Sequence, residues 1–563
     1  MQEQSFQEYG AAEWHILGRD GLYGDWDLNN YGESLETEWS SDEGALTMQP
    51  PTTSQGIYER IGKIEVNPKI ILGKGASGTV FQGKFAGRDV AVKRVMAGTN
   101  VDREAELNIK CDDHPNVCRY MYMEKDRMGD AYLVLELCQG TLADYVEGNI
   151  EVERQDKDFL KDATQGLDHL HKLGIVHRDI KPSNILISRP QYDCATVKAL
   201  IGDFGFSKEL NKGHQSFSIS EGWRGAHRWM APEVLTGREG GTLRATAAVD
   251  VYALGCVFYY TLTKGQPLFN GEDEIEVMNN IKNGVKDLKA LLPEEALTHI
   301  LKTIDPQDRK RIQCSSPDSF TALALVTTMT SHDPEQRPPA EAVLKHPFFW
   351  SEKEKLAYIE LVSDHLKILQ GSTSSTCPIL EDCKSDILGA PDADWGELIR
   401  RNHPDLDPVI KCLKRPRPNV RAKYNYKSVK CLLRMIRNLS HHLTSYPPEV
   451  QDALEGSSPK TLVSELFSGI FPRLVVLTWL VMSKEVEHEP SLKDYYHVWW
   501  RERAAEIYQS LTNGSGKSPY GTGMWPKYGL GLRQQASPVR PFRCTQEQPD
   551  DWSQPQVREF SLP

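Results

Sequence analysis

Apolar and polar residues alternate from Lys63 to about Gln139, and beyond that point apolar residues mostly recur at helical spacing. The first pattern predicts a strand-rich region and the second a helical one. The segment HPFFW, residues 346–350, is predicted to close this first globular unit, and a second unit, helical throughout, is predicted over residues 351–483. Its run LVVLTWLVM, residues 474–482, falls short of the ~20 apolar residues that cross a bilayer and is predicted to be a buried helix.

The two ends of the chain carry neither pattern. Residues 1–62 are rich in Glu, Asp, Ser and Gly, which predicts an acidic disordered arm without a signal peptide. Residues 484–563 contain one possible helix, SLKDYYHVWWRERAAEIYQSL, before a flexible tail rich in Gly, Pro, Ser and Gln. Either end is a docking segment or a solvated tail.

Composition narrows the class of protein. A chain of 563 residues with 39% hydrophobic content is long enough for two or three domains. The formal net charge of −12 argues against non-specific coating of nucleic acid, although it leaves room for a local basic groove. The 11 cysteines lack the spacing of a zinc site and are predicted to be reduced thiols.

A glycine-rich hairpin is the first candidate for chemistry. The sequence LGKGASGTVFQG places Gly73, Gly75 and Gly78 between two alternating segments, where backbone without Cβ atoms can approach phosphate oxygens. The strand DVAVKRV then supplies Lys93, and Glu104 in DREAEL is placed to meet it from a helix. A buried lysine beside a triphosphate needs such a carboxylate to fix it.

Two further loops carry polar residues at phosphoryl-transfer spacing. In IVHRDIKPSNILI, Asp179 would accept the proton of a substrate hydroxyl, Lys181 would steady the transferred phosphoryl group and Asn184 would hold a metal ion. IGDFGFSK offers Asp203 for Mg²⁺. The segment APE ends at Glu233, a predicted partner of Arg337.

Taken in this order, these motifs resemble the protein kinase family over residues 63–350. The resemblance implies an α+β bilobal kinase fold that binds ATP and Mg²⁺, and it adds Glu136 and Cys138 to the nucleotide-binding residues. Every metal and base position is filled, but Ala226 stands where serine/threonine kinases usually carry a threonine, which favours autophosphorylation over foreign substrates. Candidate acceptors in the activation segment are Ser216, Ser218 and Ser220.

A second constellation lies in SVKCLLRMIRNLSHHL. At 100° per residue, one stripe of the predicted helix is apolar, and the opposite, exposed face is polar. The apolar stripe comprises Val429, Leu432, Leu433, Ile436 and Leu443, and the polar face Arg434, Arg437, Asn438, His441 and His442. The ordinary explanation of such a polar face is that it is simply exposed to solvent and has no function of its own.

The charge around this helix favours another explanation. No acidic residue lies between Pro408 and Pro448, whereas ten Lys and Arg residues do, with Tyr424 and Tyr426 among them. Such a basic run suits RNA phosphates, and tyrosines can stack on unpaired bases. A histidine beside a guanidinium can perform acid–base cleavage of RNA with the 2′-hydroxyl as nucleophile and without a metal.

With the kinase upstream, these segments resemble the kinase-extension nuclease family, whose members include the inositol-requiring kinase/endoribonucleases of the unfolded protein response and, more distantly, ribonuclease L. The resemblance covers residues 63–483 and implies an all-α kinase-extension nuclease (KEN) domain over 351–483. By motif match, its nuclease residues are Tyr424, Arg437, Asn438 and His442. The resemblance implies that His442 is the general acid and that Tyr424 helps to activate the 2′-hydroxyl. It also implies that Arg437 stabilises the charge of the phosphate and that Asn438 positions the substrate. His441 would be a solvated bystander.

The resemblance also implies that nucleotide favours a homodimer or higher oligomer in which the nuclease becomes active, and that messenger RNA is spliced or degraded. We expect RNA and not DNA as substrate, no membrane span in this chain and a cytoplasmic location. We also expect neither a lumenal sensor nor ankyrin repeats before the kinase, which leaves the activating signal open. The alternatives are a signalling kinase, or a pseudokinase scaffold, whose helical extension only binds partners or RNA.

Overall fold

The computed structural model describes the chain between residues 58 and 512, with gaps. The described ranges are 58–75, 78–98, 101–111, 113–190, 196–210, 217–218, 227–237, 244–291, 319–369, 376–402, 404–414, 424–442, 446–452 and 470–512. Nearly all of the predicted acidic arm and the flexible tail lie outside these ranges. So do Ser216, Ser220, Ala226 and Leu443.

The first lobe is a six-stranded sheet in the order β1-β2-β3-β4-β6-β5, and all of its neighbouring strands are antiparallel. Its strands are β1 Glu59–Ile61, β2 Ile64–Gly75, β3 Gly78–Phe85, β4 Arg88–Val95, β5 Tyr120–Lys125 and β6 Ala131–Leu135, and the helix α1 Val101–Cys111 lies between β4 and β5. The sheet begins just before the predicted start at Lys63, because Gly62, at φ 56°, turns β1 back onto β2. The alternation in this region therefore correctly predicts strands.

The second lobe is mainly helical and is built around two apolar helices. Its helices are α2 Leu142–Val146, α3 Asp156–Lys172, α4 Pro232–Gly237, α5 Ala248–Leu262, α6 Glu274–Lys282, α7 Ser319–Met329 and α8 Ala340–Leu344. Every residue of α7 is buried, as is most of α5, and the two helices pack together. Helices that are apolar all round belong in the centre of a large core.

Short strands in this lobe hold the loops that carry the polar motifs. They are β7 Gly140–Thr141, β8 Ile175–Val176, β9 Ile185–Ile187, β10 Ala199–Ile201, β11 Lys208–Glu209, β12 Phe217–Ser218 and β13 Arg244–Ala245. They pair as β10-β9-β7, β11-β8 and β12-β13. The loop between β8 and β9 carries Asp179, and the loop between β10 and β11 carries Asp203. The pairings therefore bring these two loops side by side.

The described part of the chain after Trp350 contains helices and no strands. Its helices are α9 Glu352–Ile368, α10 Thr376–Asp382, α11 Lys384–Leu388, α12 Trp395–Asn402, α13 Asp407–Lys414, α14 Val429–His442, α15 Pro448–Asp452, α16 Leu474–Met482 and α17 Val498–Thr512. All nine residues of α16 are buried, which confirms the predicted buried helix. Among the described residues, no helix is both long enough and apolar enough to cross a membrane.

The predicted single helix near the C-terminus is divided into two parts. Residues Pro490–Tyr495 form a 3₁₀ helix, Tyr496 is extended at φ −129° and ψ 139°, and α17 follows. The break has a packing reason, since the Tyr496 hydroxyl reaches the Trp479 carbonyl at 2.6 Å and the Tyr358 hydroxyl at 2.8 Å. Trp500 of α17 is buried and donates to the Ala342 carbonyl at 2.7 Å. The segment is therefore docked on its own chain and is not a solvated tail.

Candidate active sites

A buried ion-pair chain crosses the cleft between the two lobes. The Lys93 Nζ on β4 lies 2.5 Å from Glu104 Oε1 on α1 and 2.7 Å from Asp203 Oδ1. Burial alone would lower the pKa of Lys93, but the Asp203 and Glu104 carboxylates outweigh it and raise that pKa overall. Lys93 therefore stays cationic at the place where a triphosphate would bind.

The loop after β8 brings together the other polar residues of this cleft. Lys181 Nζ lies 2.6 Å from Asp179 Oδ2, and Asn184 Nδ2 donates to the Asp179 carbonyl at 2.8 Å and to its carboxylate at 2.9 Å. Asp250, which is buried, accepts the backbone N–H groups of His177 and Arg178 and so fixes the loop. The loop is therefore held in place by hydrogen bonds within itself and to Asp250.

The donor set fits a divalent cation. The amide nitrogen of Asn184 is occupied by Asp179, which leaves the amide oxygen for a metal ion. The Asp203 carboxylate faces the same cleft from a left-handed backbone at φ 62°, and the Gly202 N–H donates to the Asn184 carbonyl at 2.9 Å. Mg²⁺ takes oxygen ligands and is usually held by one or two carboxylates together with substrate phosphates and water, and in kinases also by an asparagine.

The three glycines of the hairpin have different reasons to be glycine. A Cβ on Gly73 or Gly75 would have no heavy atom within 4 Å, so these two positions leave open space over the cleft. Gly78 has φ 141°, and a Cβ there would lie 2.2 Å from the Arg94 carbonyl oxygen. The sequence interpretation of three phosphate-facing glycines is therefore incomplete, because Gly78 is required by the close approach of β4.

The segment between β6 and β7 connects the two lobes. The Glu136 N–H donates to the Arg119 carbonyl at 2.9 Å, and the Gln139 N–H donates to the Ile187 carbonyl at 2.9 Å. Cys138, which is half-buried, lies between these anchors. The connection is thus held from both lobes at the edge of the cleft, where the sequence predicts nucleotide-binding residues.

The pair predicted between Glu233 and Arg337 is present. The Arg337 guanidinium is fully buried and binds both Glu233 carboxylate oxygens, at 2.6 Å and 2.8 Å. Arg337 also lies over the Tyr252 ring at 4.8 Å. This bidentate bond ties α4 to the core of the helical lobe.

The second site is built on α14. Glu381 of α10 accepts from the Ser428 hydroxyl at 2.6 Å and from the backbone N–H groups of Val429 at 3.3 Å and Lys430 at 3.1 Å. A carboxylate there satisfies N–H groups that the helix itself leaves without partners. The buried face contains the predicted Val429, Leu432, Leu433 and Ile436.

On the polar face of α14, two of the predicted nuclease residues meet directly. Asn438 Nδ2 donates to the Tyr424 hydroxyl at 2.8 Å. The Arg434 guanidinium lies 4.6 Å from the centre of the Tyr424 ring, and the Trp395 ring contacts that ring edge-on at 6.2 Å. The phenol is therefore fixed in place, with its hydroxyl turned towards α14.

The other two predicted residues lie on the same helix. The Arg437 Nη2 lies 3.2 Å from Asp364 Oδ2 of α9, and His442 is exposed at the last residue of α14. The Nε–H groups of Arg434 and Arg437 are buried and have no hydrogen-bond partner among the described residues. Buried donors without acceptors are rare in folded proteins and are expected where a ligand completes the site.

Comparisons with known proteins match both regions. The model of the protein kinase domain matches residues 66–349, and the model named Ribonuclease 2-5A matches residues 355–496. The chain belongs to the family of serine/threonine-protein kinase/endoribonucleases.

Curated relatives in this family include proteins from animals, plants and fungi. The chain is 37% identical to serine/threonine-protein kinase/endoribonuclease IRE2 of Homo sapiens over 75% of this chain and 41% of the relative. It is 34% identical to ire-1 of Caenorhabditis elegans over 83% of this chain and 45% of the relative. It is 30% identical to a protein of Schizosaccharomyces pombe named sensor for unfolded proteins in the ER ire1, over 77% of this chain and 39% of the relative. The chain thus spans less than half the length of these relatives.

The prediction that the whole polar face of the ribonuclease helix α14 is exposed to solvent is partly wrong. Arg437 is engaged by Asp364, and His441 Nε2 lies 3.4 Å from Glu360 Oε2, so α9 covers part of this face. The His441 side chain is still 44% exposed, so its predicted contact with solvent holds, but it also has Glu360 as a neighbour. Helical phasing identifies the polar side of a helix but not the neighbour that packs against it.

Tyr426 packs against its own domain, and its stacking on RNA bases stays a prediction. Its ring lies 4.5 Å from the Trp395 ring, and Lys414 lies 5.2 Å from its centre. Burial, followed by the nearby Asp394 and Tyr424, raises the pKa of Tyr426 to about 12. Among the described residues, Tyr424 is the tyrosine of the two that hydrogen-bonds to a predicted nuclease residue of α14. Four members of the basic run, Arg415, Arg417, Arg421 and Lys423, lie outside the described residues.

Sequence analysis missed a cationic cluster in the kinase domain, formed by Arg103, Arg178 and Lys208. Burial, and then the charge of Arg103, lowers the pKa of Arg178 to about 10. Burial together with Arg178 and Arg103 also lowers the pKa of Lys208. Since Arg178 follows directly after His177 in the HRD motif, that motif contained the signal.

Proposed function

We propose that this chain is an ATP-dependent serine/threonine kinase that acts mainly on itself and whose nucleotide-linked self-association activates an endoribonuclease. Two observations together carry the proposal. Lys93 forms ion pairs with Glu104 and Asp203 in the kinase cleft. Asn438, on the same helix as His442, holds the Tyr424 hydroxyl. The relatives are named as kinase/endoribonucleases, which supports the same pairing of activities.

In the kinase step, the substrate hydroxyl oxygen bonds to the terminal phosphorus of ATP while the bond to the bridging oxygen breaks and ADP leaves. Asp179 accepts the hydroxyl proton, and Lys181, 2.6 Å away, neutralises charge on the transferred phosphoryl group. Lys93 binds the phosphates of the nucleotide, and Glu104 keeps its ammonium directed into the cleft. When bound, Mg²⁺ would lie against Asn184 and Asp203 and would supply charge neutralisation. Glu136 and Cys138, in the segment that connects β6 with β7, would face the adenine of the nucleotide.

In the nuclease step, the 2′-oxygen of RNA attacks the adjacent phosphorus while the bond from phosphorus to the 5′-oxygen breaks. His442 donates a proton to that departing oxygen, and Tyr424, held by Asn438 at 2.8 Å, assists removal of the proton from the 2′-hydroxyl. Arg437 stabilises negative charge on the phosphate oxygens. The products are a 2′,3′-cyclic phosphate and a 5′-hydroxyl. DNA, which lacks the nucleophile, is not cut, and no metal takes part.

Activation-segment phosphorylation would act through the cationic cluster. Ser216, Ser218 and Ser220 are the candidate acceptors, and a phosphate there would neutralise the mutual repulsion of Arg103, Arg178 and Lys208. We infer that nucleotide binding and this phosphorylation both favour a homodimer. Sedimentation of the chain with and without nucleotide tests that step.

The biological role follows the relatives. One of them is named a sensor for unfolded proteins in the ER, and we propose that this chain cleaves messenger RNA in the same response, acting in the cytoplasm where such RNA is translated. Because the chain spans less than half of these relatives, the activating signal is left open.

The test compares wild type with Asp179→Asn and His442→Ala, and uses His488→Ala, an exposed histidine of the same domain, as the matched control. Each protein is incubated with labelled ATP and with a structured RNA substrate. We expect Asp179→Asn to lose autophosphorylation, and His442→Ala to lose cleavage while retaining nucleotide binding. Phosphorylation without any cleavage by wild type would favour the signalling kinase instead, and RNA binding without either reaction would favour the scaffold.

A further inference from the structure

The last turn of the ribonuclease helix α14 is bound from outside by one carboxylate. Glu360, on α9, accepts a hydrogen bond from the Ser440 hydroxyl, and its other oxygen lies 3.4 Å from His441 Nε2. The Glu360 side chain is 23% exposed and the His441 side chain 44%, so Glu360 is mostly covered while the histidine side of the contact is open to solvent. Both of its partners directly precede His442 in the chain.

The contact belongs to an antiparallel crossing of two helices. Glu360 meets Ser440 and His441, and Asp364, one turn later on α9, meets Arg437, one turn earlier on α14. Residues four apart lie on the same face of a helix, so the two carboxylates form one acidic edge on α9. This edge faces the polar side of α14, where the predicted nuclease residues lie.

Helix α9 is itself firmly anchored. It starts at Ser351 with a capping box in which Ser351 and Glu354 satisfy each other's backbone N–H groups. The Trp350 carbonyl just before it accepts from Lys157 Nζ of the kinase domain at 3.1 Å, and the Trp350 ring packs 5.0 Å from the Tyr358 ring. A side chain on α9 is therefore held in place relative to the kinase domain.

The end of α14 needs such a fixed point. The last carbonyl groups of a helix have no partners within it, and helix ends open more readily than helix centres. A serine within a helix commonly bonds its hydroxyl to the carbonyl four residues earlier, but Ser440 donates to Glu360 instead. His441 directly precedes His442, with the two ring centres 6.3 Å apart, so Glu360 holds the turn of backbone from which the His442 side chain projects.

We propose that Glu360 is a positioning residue of the ribonuclease, which fixes the orientation of His442 by holding Ser440 and His441. This inference rests on the proposed nuclease function of His442. It gives His441 a defined role, and it makes α9 a direct link between the kinase domain and the proton donor. Glu360 touches neither RNA nor the reacting atoms in this role.

The test measures single-turnover RNA cleavage by Glu360→Ala, Glu360→Gln, His441→Ala and the double variant Glu360→Ala/His441→Ala. Displacement of a reacting group by about 1 Å can cost on the order of 10²-fold in rate, and we expect Glu360→Ala to lower the cleavage rate about 10- to 100-fold with KM unchanged. Glu360→Gln, which still accepts a hydrogen bond from Ser440, should recover part of the rate. Lys353→Ala, an exposed change on the same helix, is the control.

If Glu360 acts through His441, the rate losses of the two single variants should not multiply in the double variant. The free-energy effects of substitutions at two residues in contact are in general not additive. A wild-type rate for Glu360→Ala, or single losses that multiply in full in the double variant, would overturn the proposal.

An independent readout separates this proposal from the proposed function. Amide hydrogen exchange at residues 440–442 should accelerate in Glu360→Ala, while exchange in the buried centre of α14 should stay as in wild type. Unchanged exchange at the last turn overturns the positioning role whether or not the chain cleaves RNA. If the wild type fails to cleave while exchange responds as expected, the nuclease assignment of His442 is at fault and Glu360 only braces the helix.

Discussion

Replacement of Trp500 by alanine should strongly destabilise the region where the kinase and ribonuclease domains meet. The Trp500 side chain is 1% exposed, and its ring lies 5.1 Å from the Trp479 ring and 5.2 Å from the His346 ring. Removal of a buried tryptophan side chain costs about 3–5 kcal/mol. Loss of its hydrogen bond to Ala342 adds about 1 kcal/mol. The Ala342 carbonyl keeps the N–H of Lys345 as a partner, so it is not left unsatisfied.

Trp500→Phe separates the two contributions. It retains most of the buried ring but removes the indole N–H, so we expect it to cost about 1–2 kcal/mol, from the lost hydrogen bond and a small cavity. Glu502→Ala, an exposed change on α17, is the control and should have almost no effect. Urea unfolding followed by far-ultraviolet circular dichroism measures the difference. A loss of less than about 1 kcal/mol for Trp500→Ala would refute the docking of α17 as a structural element.

His346 supplies a pH signature for the same substitution. Burial lowers the pKa of His346 to about 3, so the folded state binds fewer protons than the unfolded state between that value and the ordinary histidine range. The stability that the neutral ring contributes is therefore complete above about pH 6.5 and is lost as pH falls towards 3. Trp500→Ala admits water to His346 and raises its pKa, so the dependence of stability on pH in this window should become shallower. An identical slope in wild type and variant would contradict this reasoning.

Three further predictions concern the two sites and the helix between them. Lys93→Ala should reduce autophosphorylation at least about 100-fold, because the cation in the cleft is lost; normal incorporation of labelled phosphate would contradict this. Tyr424→Phe removes the hydroxyl that Asn438 holds and should slow RNA cleavage about 10- to 100-fold, whereas Tyr426→Phe should be neutral, since the Tyr426 hydroxyl has no hydrogen-bond partner among the described residues. Glu381→Ala removes the cap of α14 and should lower the free energy of unfolding by about 1–2 kcal/mol, measured by urea titration; an unchanged midpoint would show that the cap contributes nothing.

The sequence alone determined most of the architecture, because its signals are local. Alternation predicts the strands of the first lobe, and the apolar run at Leu474–Met482 predicts a buried helix that the structure confirms. The order of the glycine loop, VAVK, HRD, DFG and APE indicates a kinase fold, and the matching family models confirm both domains. Pairs that follow from a known motif, such as Lys93 with Glu104 and Glu233 with Arg337, are also present.

Only the tertiary structure decided which neighbour each polar group meets. Helical phasing placed Arg437 and His441 on an exposed face, but α9 approaches that face with Asp364 and Glu360 from about seventy to eighty residues earlier in the chain. Likewise, the break in the C-terminal helix depends on the contact of Tyr496 with the distant Tyr358. Periodicity describes one element at a time, whereas burial and ion pairing depend on elements that the chain brings together from far apart.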